Sequence, residues 1–397
     1  MKLLIAIPAL NEEGSIQQII ERCLQARTDI IETTPVAEVE VTVVSDGSTD
    51  HTVELASQFM DRIKLIVFPK NRGYGAAIKE AWAQSDADLL GFLDADGTCD
   101  PRFFSRLINA LREHEADMAL GCRLNVHSKM PWVRRVGNGL FASVLSLLSS
   151  SRVRDTASGM RVVRRKCLPE LLPLPDGLHF TPAMSARAIL SDNVRTVEID
   201  MPYQERAGES KLRLGRDGFR FLKAILDAAL LYRPARPLAT LGGLWLAVAI
   251  ILMIAPTGYY LEHRAVQEWM IYRFIVSHLA GTLATLLLSA SYLTGRIVGI
   301  VLPKETSKRR QTNVLEWFFS SKLSWYAPAM LLVGGGLLVL PSFLELVRTG
   351  ATYEHWSRFV AMSFSWSVAF IIVVTRVIDY VLGLLDAQLT HHTKMSK

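Results

Sequence analysis

Asp94 and Asp96, separated by Ala95, follow directly on the apolar run Leu89 to Leu93. Two carboxylates at i and i+2 leave a strand end together and can close on one hard cation, Mg2+ or Mn2+, through oxygen. A cation so held would bridge the phosphates of a nucleotide diphosphate and take up the negative charge that grows as a diphosphate leaves. Asp-x-Asp is frequent by chance, and its company gives this one weight. Two other apolar runs end in polar clusters, Pro8-Ala9-Leu10-Asn11-Glu12-Glu13 and Ser45-Asp46-Gly47-Ser48-Thr49-Asp50. Asp46 is suited to accept hydrogen bonds from a ribose or base. The same stretch also reads as a turn that starts a helix, and the two roles are compatible.

Holding three such ends side by side requires a sheet. Strand-length runs alternate with helical patterns: Leu3 to Ile7, a helix from Glu12 to Ala26, Val39 to Val44, a helix from Thr49 to Met60, Leu65 to Phe68, a helix from Tyr74 to Gln84, then Leu89 to Leu93. This alternation implies an α/β domain with a mainly parallel sheet covered by helices on both faces. Ligands on such sheets bind at the carboxyl ends of the strands. The domain is expected over 1–214 and an amphipathic helix over 215–236. From Arg216 to Leu231, Phe219, Leu222, Ile225, Leu226 and Ala229 share one face, and Arg216, Arg220, Lys223 and Asp227 fill the remainder. That is the pattern of a helix lying in a membrane interface. A helix packed on the domain gives the same pattern.

At 397 residues the chain exceeds one typical core. Beyond Pro237 the composition changes, and a transmembrane domain is expected over 237–390. Four blocks, about 238–255, 274–293, 326–346 and 359–385, approach the roughly 20 apolar residues of a bilayer-spanning helix. Arg233 and Arg236 precede the first block, and Lys304, Lys308, Arg309, Arg310 and Lys322 fill the loop between the second and third. The other two loops hold Arg264, Arg273, Arg348 and Arg358 beside Glu262, Glu268, Glu345 and Glu354. The positive-inside rule puts both termini in the cytoplasm, the expectation being a multi-pass protein of the plasma (inner) membrane. The net charge of +6 is better explained by that membrane surface than by nucleic acid.

Other chemistries find no support. Cys23, Cys99, Cys122 and Cys167 are far apart and form no Cys-x-x-Cys pair, so neither a zinc site nor a disulfide framework is indicated. Met-Lys leads straight into an apolar strand without a signal-peptide pattern, so the expectation is a cytosolic catalytic domain. No Gly-x-Gly-x-x-Gly follows the first strand, where Asn11-Glu12-Glu13 would repel a pyrophosphate, and Gly73-Tyr74-Gly75 is only a weak echo of it. Arg164, Arg165 and Lys166 read as a solvated or membrane-facing run. His179 has no metal-ligand companion and reads as structural. Arg296, Arg376 and Asp379 lie near helix ends, where snorkelling or mutual pairing is the expectation and a lipid-phosphate contact the second reading. Trp269, Tyr272, Trp325, Tyr326 and Trp356 read as interfacial anchors.

Taken together, Pro8-Ala9-Leu10-Asn11-Glu12, Ser45-Asp46-Gly47-Ser48-Thr49-Asp50, Asn71-Arg72-Gly73, Asp94-Ala95-Asp96, Gly121-Cys122-Arg123, Ser158-Gly159-Met160-Arg161 and Gly208-Glu209-Ser210-Lys211-Leu212 resemble the inverting family 2 glycosyltransferases of GT-A fold. Within that family they are similar to the polyprenyl-phosphate (dolichyl-phosphate) glycosyltransferases that load mannose or glucose onto a lipid carrier. The resemblance covers the soluble domain and, in architecture only, the four spans. It implies that Pro8, Ala9, Asn11, Glu12 and Asp46 hold the nucleoside of a UDP- or GDP-sugar, and that Asp94, Ala95 and Asp96 meet the metal and diphosphate. Arg123, with Arg134 or Arg135, would meet the phosphates, and Arg206, Ser210 and Lys211 the donor or acceptor phosphate. Asp94, Asp96 and Arg123 would then be the catalytic set. The family often has a glutamine where this chain has Thr98, and many members have Asp where Ser45 stands.

A phosphate acceptor also suits the residues present. A lipid phosphate has a second pKa of about 6, so its attack on a sugar carbon needs no strong general base, and no catalytic histidine is evident. The enzyme would align the reactants and gather two anions with cations. A processive polysaccharide synthase should carry Gln-x-x-Arg-Trp, which is absent. Another lipid or glycan acceptor, and a non-catalytic scaffold or lipid translocator, are the remaining alternatives. The intact Asp94 and Asp96 argue against the last. The spans would anchor the enzyme and could join copies in a homo-oligomer.

Overall fold

The computed structural model describes residues 1–125, 132–149, 153–204, 214–301, 314–351 and 355–395. Two compact units divide the chain, Met1–Tyr232 and Arg233–Lys397.

The first unit alternates strand and helix: β1 (Lys2–Ala9), α1 (Ile16–Thr33), β2 (Glu38–Asp46), α2 (Thr52–Ser57), β3 (Lys64–Phe68), α3 (Tyr74–Ala83), β4 (Leu89–Phe92), α4 (Phe103–Glu113), β5 (Met118–Cys122), α5 (Trp132–Leu148), β6 (Arg161–Arg164), α6 (Leu168–Leu171), α7 (Phe180–Leu190), β7 (Thr196–Asp200) and α8 (Leu214–Tyr232). The strands form one sheet in the order β3-β2-β1-β4-β6-β5-β7. All neighbours are parallel except β6, which runs antiparallel to both β4 and β5.

Because side chains alternate across a strand, β1 feeds two cores at once. Leu3, Ile5 and Ile7 pack with Ile16, Ile19 and Cys23 of α1 and Phe104 and Leu107 of α4. Leu4 and Ala6 pack on the other face with Ala77, Ile78 and Trp82 of α3 and Phe180 and Met184 of α7. A strand buried on both faces needs an unbroken apolar run, which is what the first strand has.

Helix α1 begins at Ile16, four residues later than its pattern suggests, because the chain before it turns at Asn11 with φ +49° and Ser15 and Ile16 donate to the Glu12 carbonyl. Helix α8 divides its apolar residues between two faces. Phe221, Ile225, Ala228 and Ala229 are buried, whereas Phe219, Leu226, Leu230 and Leu231 are exposed. The Arg164-Arg165-Lys166 run is less solvated than its charge suggests. Arg164 donates to the Ala116 carbonyl and Arg165 to those of Ala87 and Ser85.

The second unit comprises α9 (Ala235–His263), α10 (Ile271–Val301), α11 (Val314–Ser320), α12 (Leu323–Thr349) and α13 (Trp356–Met395). Among the described residues α9, α10, α12 and α13 are long and apolar enough to cross a membrane.

Candidate active site

The ends of β2, β1 and β4 stand side by side, since β1 lies between the other two. Pro8 and Ala9 pair with Val44 and Ser45, so the loops after β1 and β2 leave the sheet together. Hydrogen bonds then join them. Asn11 N–H donates to the Ser48 hydroxyl at 3.1 Å, Thr49 N–H to Asn11 Oδ1 at 2.8 Å, and Glu12 N–H to the Thr52 hydroxyl at 2.8 Å.

Asp46 is buried at the end of β2 and faces the loop before α3. Its carboxylate accepts the backbone N–H groups of Arg72 at 2.6 Å and Gly73 at 2.9 Å. Burial raises its pKa above the ordinary carboxylate value, against the pull of those two amides. Asp50 supplies the turn bond that a cap reading assigns to this stretch, accepting Thr52 N–H at 3.0 Å. The Gly73-Tyr74-Gly75 pattern also acquires a structural cause. Gly73 has φ +110°, and a Cβ there would collide with the Asp176 carbonyl, so the glycine permits a close backbone approach.

Each carboxylate of the Asp-x-Asp is held by a hydroxyl. Tyr74, at the first turn of α3, donates its O–H to Asp94 Oδ1 at 2.7 Å. Burial and the adjacent Asp94 push the Tyr74 pKa well up, so it remains a phenol and a donor. Thr98 donates to Asp96 Oδ1 through its hydroxyl at 2.7 Å and its backbone N–H at 3.1 Å. On the far side, Gly159 lies so close that a Cβ there would overlap the Asp94 carboxylate. Arg161 fixes that segment. It is fully buried, and its guanidinium donates to the Ser158 carbonyl at 3.0 Å and the Thr156 carbonyl at 2.9 Å. Burial lowers its pKa to about 10, which leaves it cationic at neutral pH.

Arg123 follows β5 and is committed to a partner. Its Nε and Nη2 donate to the two oxygens of Asp155 at 2.7 and 2.9 Å, and its backbone N–H adds a third bond at 3.0 Å. The guanidinium lies over the Tyr203 ring, 5.5 Å from its centroid. Burial alone would raise the Asp155 pKa, but the Arg123 charge and hydrogen bonds bring it below the ordinary carboxylate range. Asn138 of α5 completes the arrangement, donating to Asp155 Oδ1 at 2.7 Å and accepting Thr156 N–H.

The structure thus brings together Pro8, Ala9, Asn11, Glu12 and Asp46 in one set of joined loops, with Asp94, Ala95 and Asp96 at the end of the neighbouring strand. Arg135 is exposed and donates to the Asn125 carbonyl at 2.9 Å. The Arg134 side chain and Arg206, Ser210 and Lys211 lie outside the described residues. Sequence reasoning missed Tyr74 and Asp155. Their partners are 20 and 32 residues away, a separation that no local motif reports. Among the described residues no group of three His, Cys, Asp or Glu is placed to hold a metal. Two carboxylates at one strand end still fit Mg2+ or Mn2+, because such ions are commonly held by one or two carboxylates plus the oxygens of a phosphorylated substrate.

The family model for glycosyl transferase family 2 matches residues 4–172, which include the ends of β1, β2, β4 and β5. This stretch is a family 2 glycosyltransferase domain. The seven-stranded, mainly parallel sheet of the first unit, six strands of which lie in this stretch, is the GT-A arrangement that the resemblance implies. The chain is 33% identical to the low-salt glycan biosynthesis hexosyltransferase of Haloferax volcanii, over 62% of this chain and 59% of that protein. It therefore spans well under two thirds of that relative. The dolichyl-phosphate hexose transferase of the same organism is 29% identical over 57% of this chain and 94% of its own length. The undecaprenyl-phosphate 4-deoxy-4-formamido-L-arabinose transferase of Proteus mirabilis is 26% identical over 64% and 76%.

Proposed function

We propose that this chain transfers a sugar from a UDP- or GDP-sugar to a polyprenyl phosphate at the cytoplasmic face of a membrane. The observation that carries the reading is the Asp-x-Asp at the end of β4, held by Tyr74 and Thr98 beside the joined loops of β1 and β2 in a domain that precedes four membrane-capable helices. Relatives named for dolichyl and undecaprenyl phosphate support the choice of acceptor.

In this reading Pro8, Ala9, Asn11, Glu12 and Asp46 form the nucleoside end of the site, and Asp94 and Asp96 face the diphosphate. A divalent cation held there would supply Lewis-acid neutralisation of the departing diphosphate. A lipid-phosphate oxygen forms a bond to the anomeric carbon, the bond from that carbon to the diphosphate oxygen breaks, and its electron pair leaves with the nucleotide. In-line attack inverts the anomeric centre, so an α-linked donor gives a β-linked product. No proton need be removed from a largely ionised phosphate, which agrees with a site built of carboxylates, hydroxyls and arginines. The exposed Phe219, Leu226, Leu230 and Leu231 of α8 suit an interfacial position, because α9 begins three residues after α8 ends. The basic segments before α9 and between α10 and α12 support cytoplasmic termini.

The test incubates the detergent-solubilised protein with polyprenyl phosphate, Mg2+ or Mn2+, and a panel of labelled UDP- and GDP-sugars. Labelled lipid with one donor, abolished by chelator and by Asp96→Asn, is the expected result. Silence across the panel while nucleotide binding persists would overturn the polyprenyl-phosphate assignment.

A further inference from the structure

Two apolar helices of the second unit are interrupted at the same level by charge. The apolar block 274–293 of α10 ends shortly before Arg296, and within the 359–385 block of α13 the uncharged run from Phe359 stops at Thr375, just before Arg376. Arg296 Nε donates to Asp379 Oδ1 at 3.1 Å, so these two run ends are adjacent in space. If the uncharged runs lie in hydrocarbon, this level is the edge of the bilayer, where lipid phosphates reside.

The cluster is incomplete as an ion pair. Arg376 Nη1 donates to Asp379 Oδ2 at 2.9 Å and to the Phe319 carbonyl. Both Asp379 oxygens are therefore engaged, and two guanidiniums share one carboxylate. The trio carries one excess positive charge although its side chains are only 29%, 17% and 13% exposed for Arg296, Arg376 and Asp379. Arg376 Nε is enclosed and has no hydrogen-bond partner among the described residues. The Trp325 ring stands 5.3 Å from the Arg376 guanidinium, an aromatic wall of the kind found at the membrane interface. A half-buried excess cation with spare N–H donors is costly unless an anion completes it.

We propose that Arg296 of α10 and Arg376 of α13, bridged by Asp379, form a binding site for the phosphate of a membrane lipid. A phosphate supplies the missing charge and several acceptors for planar guanidinium donors. The site rests on the membrane reading of the second unit and not on catalysis, so binding assays test it even if the transferase assignment fails. Basic pockets between membrane helices are suited to anionic head groups for the same electrostatic reason.

The experiment uses the full chain in neutral detergent and follows lipid retention by native mass spectrometry together with the thermal transition. The probes are polyprenyl phosphate, phosphatidylglycerol, phosphatidylcholine and inorganic phosphate. Either anionic lipid should bind and raise the transition, with phosphatidylcholine and inorganic phosphate inert at the same concentration. Preference for the monoester would identify the acceptor lipid as the occupant, and equal binding would identify bulk anionic lipid. Arg296→Gln should weaken binding by roughly fivefold, the worth of one basic residue at a membrane surface. Asp379→Asn removes the competing carboxylate and should act in the opposite direction, which a merely structural role would not produce. Unchanged lipid binding in folded Arg296→Gln, or weakened binding in Asp379→Asn, would overturn the site.

Discussion

Tyr74 and Thr98 each fix a carboxylate of the Asp-x-Asp, the pair that in the proposed reaction would hold a cation. Tyr74→Phe removes the 2.7 Å donor to Asp94 and leaves the ring among Phe92 and Phe180, where it makes edge-to-face contacts. A hydrogen bond to a charged group contributes about 1.5–3 kcal/mol, so the lost orientation should cost roughly tenfold or more. We expect the Mg2+ or Mn2+ concentration for half-maximal transfer to rise by about that factor, and the thermal transition of the domain to fall by roughly 5 °C from the same lost bond. A metal titration of the two proteins decides this, and an unchanged half-saturation with a lowered maximal rate would count against a positioning role. Asp94 and Asp96 are legible in the sequence because two neighbours on one strand end make a local pattern. The residues that aim them are not, because Tyr74 reaches Asp94 only through the fold. A Gly-Tyr-Gly that looks like a poor phosphate loop turns out to be a close-packed corner that delivers a phenol.

At the scale of elements, Arg123 and Asp155 tie the end of β5 to the segment before β6, and Asn138 draws α5 onto the same carboxylate. Asp155→Asn leaves a buried guanidinium without its charge partner. Breaking such a pair costs about 3–5 kcal/mol, which for a domain of this size lowers the transition by roughly 10 °C or more. The pH dependence has a definite sign. The folded pKa of Asp155 lies below its unfolded value, so its contribution is complete above the ordinary carboxylate pKa of about 4 and disappears as pH falls through the depressed folded value. The gap between wild type and Asp155→Asn should therefore be full at neutral pH and narrow only in acid, as thermal scans across pH would reveal. The paired replacement Arg123→Met with Asp155→Leu should recover much of the stability. If it also recovers transfer, Arg123 is structural; if stability returns without transfer, the guanidinium meets the phosphates as the resemblance implies. The strands around this pair were the least legible part of the domain. β1 to β4 are apolar runs between helical patterns, whereas β6 is four residues bounded by arginines, one of them fully buried. Local composition does not announce a strand whose charge is neutralised by carbonyls from elsewhere. Helix α8 was legible as amphipathic, but which apolar residues face the core depends on α5 and α7 and could not be read from its own periodicity.

For the whole molecule, the division into two units follows from composition alone, because a bilayer demands long apolar runs that no soluble domain of this kind contains. Orientation rests on the charges of the loops between the spans. The chain offers a clean way to test it. Cys23, Cys99, Cys122 and Cys167 are all buried, and burial pushes each thiol up to about 12, so almost no thiolate is present at neutral pH. Native cysteines should therefore contribute little background to labelling with a membrane-impermeant maleimide. Single cysteines introduced at Lys322, before α12, and at Gly350, after it, sit at opposite ends of one membrane-capable helix. The positive-inside reading requires Lys322→Cys to label only in inverted membrane vesicles and Gly350→Cys only in right-side-out ones. The reverse pattern would put the basic loop, and with it both termini, on the outer face, where nucleotide sugars made in the cytosol would not reach the Asp-x-Asp site. Labelling of both positions from one side would show that α12 does not cross at all, and the four-span arrangement would fall with it.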